Sequence, residues 1–506
     1  MDENYPEPAK TYHIETSYAR DRMSGHGLDW NNQPLPYKHY PDAASTPLPS
    51  DVRPPKGSLW EMETVGRDNP PEAPFGLQQL ATVCALTHSF TARRSIQGQT
   101  FLYRSVASAG ALYPAELYLA AQRVGGLETG LYYYDIREFA LKSLRSGTRV
   151  GKHFSPGATD EGHDALVTFF ITGIFFRSAW KYRARALRYV LLDAGHLLEN
   201  LRNALQALGL GLRIDYDFDD IGLNRLLDLD SKREAVFVSI SVYGDPNAKP
   251  AAGQSTTIHP DFFESVASAT GQVTTHEIFY NEIEIMHRAG MGLPKTSVPV
   301  GEDLQVTVTR PTEWLALPPY DRMVPALTYD QAVVQRRSKR NFIDQPIPEA
   351  KVLSLVQLLC GAWVPGKDSN AGLQIGFLAG AVTELAAGFY LLDGLNQKIG
   401  CVRADQFKGS MASVCLDQQW LKNAGMHFLF MVNLKTLDQS WGARGYRYAM
   451  LEAGRLGQSL YLGATALGLG CCGIGALYDQ EARALLGLNA DSALLYLVAV
   501  GQVKGG

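Results

Sequence analysis

The sequence predicts an α+β protein made of two tandem copies of one domain, each copy a central antiparallel or mixed sheet carrying a long core helix. Three observations predict this. The segment Arg188-Tyr189-Val190-Leu191-Leu192-Asp193-Ala194-Gly195-His196-Leu197 returns as Arg447-Tyr448-Ala449-Met450-Leu451-Glu452-Ala453-Gly454-Arg455-Leu456, 259 positions later. The same offset of 259 relates Leu208-Gly209-Leu210-Gly211 to Leu467-Gly468-Leu469-Gly470, and Leu226-Leu227-Asp228-Leu229 to Leu485-Leu486-Gly487-Leu488. Each copy also mixes helical periodicity with short β-rich runs. A repeat of this length is a duplicated domain, not a solenoid unit of a few dozen residues. The chain is therefore expected to fold as its own pseudo-dimer.

The elements follow in order. Residues 1–70, rich in Pro, Tyr, Asn and Asp with little periodicity, read as an irregular N-terminal arm. The first copy, residues 71–245, runs from a helix near Phe75 to Leu86, through strands at Glu116–Gln122 and in the apolar run Ala165–Phe176, to a strand at Ala235–Tyr243. Residues 246–325 form a connector with Pro, Gly and Ser clusters but also an amphipathic stretch, His276–His287. The second copy, residues 326–506, opens with a helix at Thr328–Arg337. It contains a long apolar helix, Tyr448–Leu467, ended by glycines in the manner of a helix C-terminus, and closes with a strand at Leu494–Val500.

Bulk properties exclude several function classes. With 506 residues, 46% of them hydrophobic, the chain can bury two ordinary cores. A formal charge of −4 and a pI near 6.3 leave no electrostatic footprint for nucleic acid. Cys84, Cys360, Cys401, Cys415, Cys471 and Cys472 are too scattered for a disulfide framework and suit a reducing compartment. The start Met1-Asp2-Glu3-Asn4-Tyr5-Pro6 lacks the charge and apolar stretch of a secretory signal. Ala165–Phe176 is too short to span a bilayer. A cytoplasmic protein with no nucleic-acid or membrane partner is the expectation.

Some motifs mislead. Gly468-Leu469-Gly470-Cys471-Cys472-Gly473 spells a dinucleotide fingerprint, but a helix precedes it where a strand is required. Gly361 to Asp368 nearly spells a P-loop, with Asp368 replacing the magnesium-binding hydroxyl. Glu284-Ile285-Met286-His287 has the spacing of a di-iron helix but lacks the second motif and the two further carboxylates such a site needs, and reads as a surface-facing pair. Adjacent cysteines seldom reach disulfide geometry, so Cys471-Cys472 reads as tight packing of small residues. No metal is expected.

Three segments carry chemistry. Gln335-Arg336-Arg337-Ser338-Lys339-Arg340-Asn341-Phe342 sets four cations and a hydroxyl at a helix end, which suits a phosphate and the polar edge of a heterocycle, or simply a solvated charged end. Its counterpart in the first copy, Trp60-Glu61-Met62-Glu63-Thr64, has nothing comparable. The first copy instead holds Ser108-Ala109-Gly110-Ala111-Leu112-Tyr113-Pro114, where small residues let a flat ligand approach the backbone and Ser108 offers a hydroxyl. No nucleophile elbow surrounds Ser108, which argues against a hydrolase. The equivalent stretch of the second copy, residues 366–373, is degenerate. Before the first repeated helix, Trp180-Lys181-Tyr182 offers an acid/base pair, or a basic solvated turn; the second copy has Ser440-Trp441 there.

Together these residues resemble the nitroreductase superfamily of FMN proteins, and more narrowly the SagB-type dehydrogenases that include the azoline oxidases of ribosomal peptide maturation. The likeness covers Tyr12-His13, the arm Leu28-Asp29-Trp30-Asn31-Asn32-Gln33-Pro34, Ser108 to Pro114, the arginine opening and both long helices. The resemblance implies a flavin site shared between two subunits. It implies that Arg336, Arg337, Ser338 and Arg340 hold the phosphate, ribityl chain and pyrimidine edge of FMN. Cys472, Gly473, Ile474, Gly475 and Ala476 would line N5, and Ser108, Ala109, Gly110, Tyr113 and Pro114 would come from the first copy. Lys181 and Tyr182 would carry the proton chemistry. Because each copy has lost what the other keeps, one FMN per chain is expected. Two departures stand out: Ala107 occupies a position where the family often has proline, and Lys504 is followed by none of the basic residues that complete the phosphate site in longer relatives.

The leading expectation is an FMN-dependent oxidoreductase that takes a hydride from a C–H bond of a small-molecule or peptide substrate. An NAD(P)H-dependent reductase of nitroaromatics or quinones would not need Lys181 and Tyr182. A non-catalytic flavin- or peptide-binding protein is the reading from another class.

Overall fold

The computed structural model describes residues 7–23, 25, 27–62, 74–96, 99–147, 165–244, 272–291, 306–318, 325–362 and 372–505. From residue 363 on, the near-P-loop lies outside them. The chain divides into two compact units: Leu28–Glu284 with Met291–Pro294, and Met1–Gly27 with Ile285–Gly290 and Lys295–Gly506.

The sheet of the Leu28–Glu284 unit has seven strands. In spatial order they are Ser45–Pro47, Ala140–Ser146, Gly130–Asp135, Ala115–Ala121, Val167–Ile174, Glu234–Tyr243 and Gly211–Asp215, every neighbour antiparallel. Central strands are buried on both faces, which explains why Val167–Ile174 reads as a continuous apolar run without alternation. That run does not continue as strand to Phe176: the strand ends at Ile174, and Phe175 opens a helix, Phe175–Tyr182. Periodicity cannot separate the two, because both the last strand residues and the first helix turn are buried. The long helix Ala186–Ala207 packs on this sheet where Gly173 lies. A Cβ there would come within 2.4 Å of Val190 Cγ1 and 2.6 Å of Phe237 Cε2, so the helix approaches this closely only over a glycine.

The second unit repeats the order: Trp314–Ala316, Lys398–Ala404, Gly388–Asp393, Leu373–Ala379, Met426–Asn433, Ser492–Gly501, Gly470–Ile474, again antiparallel throughout. Its long helix, Ala443–Ala466, is buried at every position but Thr465, the pattern of a core helix and not of an amphipathic surface one. The fold is thus α+β with two tandem domains of one topology.

The first residues are less irregular than their composition suggests. Pro8–Glu15 is a helix with no marked apolar face. The Asp438 carboxylate accepts from the Ala9 and Lys10 N–H groups at 2.9 and 3.1 Å, supplying the N-terminal cap that the sequence lacks locally. A distant acid makes this helix, so local pattern could not show it. In the connector, Asn281–Ala289 is helical. Its His287 is buried and Glu284 half-buried, so the pair does not face solvent, and the described residues contain no cluster of three potential metal ligands. Among them, no helix is long and apolar enough to cross a membrane.

Candidate functional site

In the Leu28–Glu284 unit the serine loop leaves the strand Gln99–Arg104 and enters Ala115–Ala121. It carries three left-handed residues, Gly110 at φ 65°, Ala111 at 55° and Tyr113 at 47°. Two of them pay a strain penalty that only surrounding contacts can hold in place. Those contacts are specific. Tyr113 N–H donates to Ser108 Oγ at 2.8 Å, Ser108 Oγ lies 2.5 Å from Asp193 Oδ2, and Ala109 N–H donates to Asp193 Oδ1 at 3.2 Å. Arg177 Nη1 donates to Tyr113 O at 3.0 Å and pairs with Glu116 at 2.5 Å, while the Arg104 guanidinium sits 4.2 Å over the Tyr113 ring. Pro114 is buried, and its carbonyl accepts from Ile174 N–H at 2.9 Å. The tip, Gly110 and Ala111, is exposed.

Lys181 and Tyr182 are half-buried at the end of the helix Phe175–Tyr182, not in a solvated turn. The Tyr182 ring lies 4.1 Å from that of Tyr189, and Lys181 Nζ lies 5.5 Å over the Tyr182 ring. Both polar ends converge on the serine loop: a Cβ added at Gly110 would fall 2.9 Å from the Tyr182 hydroxyl and 3.2 Å from Lys181 Nζ. Glycine suits residue 110 for two reasons, its left-handed φ and this approach. The arm motif anchors the same corner. Trp180 Nε1 donates to Asp29 O at 2.8 Å, and the exposed Trp30 ring meets Trp180 edge-on at 5.3 Å. The next residue, Arg183, adopts φ 51°, ψ −137°, a conformation that glycine favours.

In the other unit, Arg336 ends the helix Tyr329–Gln335 and is buried, whereas Ser338 and Arg340 are exposed. Arg337 turns back on the helix instead, donating to the carbonyls of Val334 and Arg336 at 3.0 and 2.5 Å. The opening runs parallel to the strand Gly470–Ile474, with Ser338 paired to Cys471 and Lys339 N–H donating to Cys471 O at 2.8 Å. Tyr461, from the long helix, fastens the two: its hydroxyl lies 2.9 Å from Ser338 Oγ and accepts from Gly473 N–H at 2.7 Å. Burial holds the Cys472 thiol protonated, opposed by the adjacent Arg340 guanidinium. Gly475 and Ala476 follow, half-buried. Cys471 and Cys472 are both free thiols, as expected for neighbours on a strand, whose side chains point to opposite faces. The strand also confirms why Gly468 to Gly473 is no dinucleotide fingerprint: those glycines end a helix and enter a strand.

Two residues in these clusters escape a motif reading. Tyr461 has no signature, since one tyrosine in an apolar helix looks like core. Asp193 does leave a trace, because its repeat equivalent is the acidic Glu452 in an otherwise apolar helix. Burial pushes the Asp193 carboxyl up to about 7, with the bonds from Ser108 and Ala109 opposing that rise.

The family profile described as the nitroreductase family matches residues 78–244 and 381–502, together more than half of the chain. The chain belongs to the nitroreductase family. A Methanocaldococcus jannaschii protein named as a nitroreductase is 25% identical over 179 residues, which is 34% of this chain and 90% of that protein. A crystal structure named as a nitroreductase from Anabaena variabilis superposes with a TM-score of 0.74 at 22% identity, covering 98% of this chain and 100% of that one, and so shares the two-domain fold. One from Ralstonia eutropha, 20% identical, covers 42% of this chain and 100% of its own at a TM-score of 0.32.

Proposed function

We propose that this member of the family is an FMN-dependent oxidoreductase of the SagB type, which removes a hydride from a C–H bond of a small-molecule or peptide substrate. The observation that carries the reading is the convergence of Lys181 Nζ and the Tyr182 hydroxyl on Gly110 of the serine loop. A reductase fed by NAD(P)H has no need of a positioned amine and phenol there, whereas a dehydrogenase must take a proton as the hydride leaves.

The second unit's donor set fits a phosphorylated flavin. Arg336, Ser338 and Arg340 bring cations and a hydroxyl beside the strand Gly470–Ile474, where Ser338 pairs with Cys471, and Ser338 and Arg340 remain exposed. When bound, FMN supplies the hydride-accepting N5. By the resemblance, Ser108, Ala109, Gly110, Tyr113 and Pro114 would hold FMN from the serine loop, and Ile474, Gly475 and Ala476 would line its reactive nitrogen. Arg337 Nη1 turns to the helix carbonyls of Val334 and Arg336, and in this reading its charge adds to the phosphate site. Lys181 or Tyr182 accepts the proton from the substrate heteroatom. One FMN per chain follows, because the arginine opening occurs only in the second copy and the serine loop only in the first.

Two measurements test this. Flavin released by heat and quantified against protein should approach one per chain; two per chain refutes the account of complementary loss. Lys181→Ala and Tyr182→Phe should keep FMN yet oxidise a C–H substrate such as an azoline peptide about a hundredfold more slowly or worse, with bleaching by NADPH little changed. Parent rates in both variants at full flavin occupancy would sink the catalytic assignment. Flavin bleached rapidly by NADPH but by no azoline peptide would favour the reductase, and bleaching by no donor a binding protein.

A further inference from the structure

Asp193 is a buried acid whose bonds all go to the serine loop, and their pattern distinguishes its two oxygens. Oδ1 accepts from Ala109 N–H, so any proton resides on Oδ2, the oxygen 2.5 Å from Ser108 Oγ. Ser108 Oγ has two acceptor positions and one proton, and Tyr113 N–H already occupies one acceptor position. The remaining arithmetic has two solutions. If Asp193 is a carboxylate, Ser108 must donate to it and keeps one lone pair for a ligand. If Asp193 is a carboxylic acid, it donates to Ser108, fills the second lone pair and sets the Ser108 proton free.

We propose that Asp193 sets the hydrogen-bonding polarity of Ser108 toward the bound ligand, making Ser108 a donor when Asp193 is protonated and an acceptor when it is not. The inference rests on the flavin reading above in taking that ligand to be the ring edge of FMN. Asp193 does not touch the ligand in this scheme and acts as a positioning residue through Ser108. Ser108 and Ala109 are half-buried and Gly110 and Ala111 are exposed, so the proton exchanges with water at the loop.

The carboxyl pushed up to about 7 places both states within reach of neutral pH. The charged and titratable groups on the surrounding elements do not set that value. Arg177 pairs with Glu116, Lys38 with Glu234, and Arg213 with Asp215. Lys181 and Tyr182 lie beyond Gly110, Arg104 covers Tyr113, Cys84 and His88 belong to the helix Leu77–Thr87 and its cap, and Tyr189 and His196 share the helix of Asp193. Burial raises the carboxyl, and the Ser108 and Ala109 bonds lower it.

The test is a pH titration of the flavin absorption spectrum of the holoprotein. The parent should show a transition with a midpoint near 7. Asp193→Asn offers Oδ1 to Ala109 N–H and an N–H to Ser108, and so should hold the parent's acid-form spectrum at every pH. Ser108→Ala should lose the transition. A merely structural Asp193 would leave Asn with no preference for the acid form, and a transition persisting in either variant overturns the proposal. If the chain binds no flavin, the functional reading fails separately. Infrared pH-difference spectra of the flavin-free protein then read the Asp193 carboxyl directly. Its band should vanish in Asp193→Asn and shift to a higher midpoint in Ser108→Ala, which removes a bond that favours the carboxylate; an unmoved midpoint refutes the coupling.

Discussion

The two long helices carry a buried acid at equivalent positions and use it in opposite ways. Glu452 is paired within its own helix to Arg455, Nε to Oε1 at 3.1 Å and Nη2 to Oε2 at 2.7 Å. Asp193 has His196 at the equivalent position and spends both oxygens on the serine loop. The segments after the helices diverge likewise: Cys471 pairs with Ser338 and Gly473 N–H is held by Tyr461, while the first copy places an Arg213–Asp215 ion pair, 2.7 Å apart, on the matching strand. Duplication thus preserved the scaffold and let each copy fill or open a given position. In one copy the acid stabilises a helix, and in the other it orders a loop.

The comparison is broken most directly at the acids. Glu452→Ala breaks the buried Glu452–Arg455 pair and should cost about 3–5 kcal/mol. Asp193→Ala leaves only a hydroxyl and an N–H without their acceptor, about 1–3 kcal/mol. Denaturant midpoints measured on both variants should keep that order, and equal losses would mean that the two acids play one role.

The next effect is a pH dependence. The folded pKa of Asp193 lies above the unfolded one, so the native state binds the proton more tightly. Asp193 therefore favours folding at low pH, and that contribution disappears as pH rises from about 4 through about 7. The loss is on the order of 4 kcal/mol at most. Asp193→Asn should gain stability relative to the parent over that window, whereas Glu452→Gln should lose it at neutral pH. A parent–Asn difference that is flat with pH would show that Asp193 is ionised throughout.

Gly110→Ala should cost about 2 kcal/mol through left-handed strain. Its Cβ would also push against the Tyr182 hydroxyl and Lys181 Nζ. Oxidation of a C–H substrate should fall with FMN retained, and unchanged turnover would show that the two side chains do not need the position they hold.

What the sequence revealed and what it hid divide along physical lines. The 259-residue repeat disclosed the doubled fold, because both copies kept the long helix and the strand that follows it. Segments with dense local chemistry, Ser108 to Pro114 and Arg336 to Arg340, were legible as candidates. Contacts between distant residues were not: Asp438 capping Ala9 and Lys10, Tyr461 fastening Ser338 to Gly473, and Asp193 holding Ala109 all join positions far apart in the chain. Such partners leave no periodic trace. Arg337 shows the converse, since charge spacing alone could not show that its Nη1 turns back to the Val334 carbonyl.

The smallest effect probes strain beside the proposed catalytic pair. Arg183 and Gly442 are equivalent in the repeat and share one backbone conformation, φ 51°, ψ −137° and φ 61°, ψ −153°. Glycine adopts it freely, whereas arginine stores strain of about 1–3 kcal/mol. Arg183→Gly should therefore raise stability by about 1 kcal/mol, the relief being partly offset by the freer unfolded chain. Gly442→Arg should lower it by a similar amount, with space available because nothing lies within 4 Å of a Cβ there. The two substitutions have opposite consequences for chemistry as well. Arg183 immediately follows Tyr182, so relaxing it should loosen the Lys181–Tyr182 corner and slow C–H oxidation while the protein becomes harder to unfold. Gly442→Arg, beside Ser440-Trp441, should leave that rate alone. A stabilised Arg183→Gly enzyme with full activity would mean that the strain does not help to place the pair.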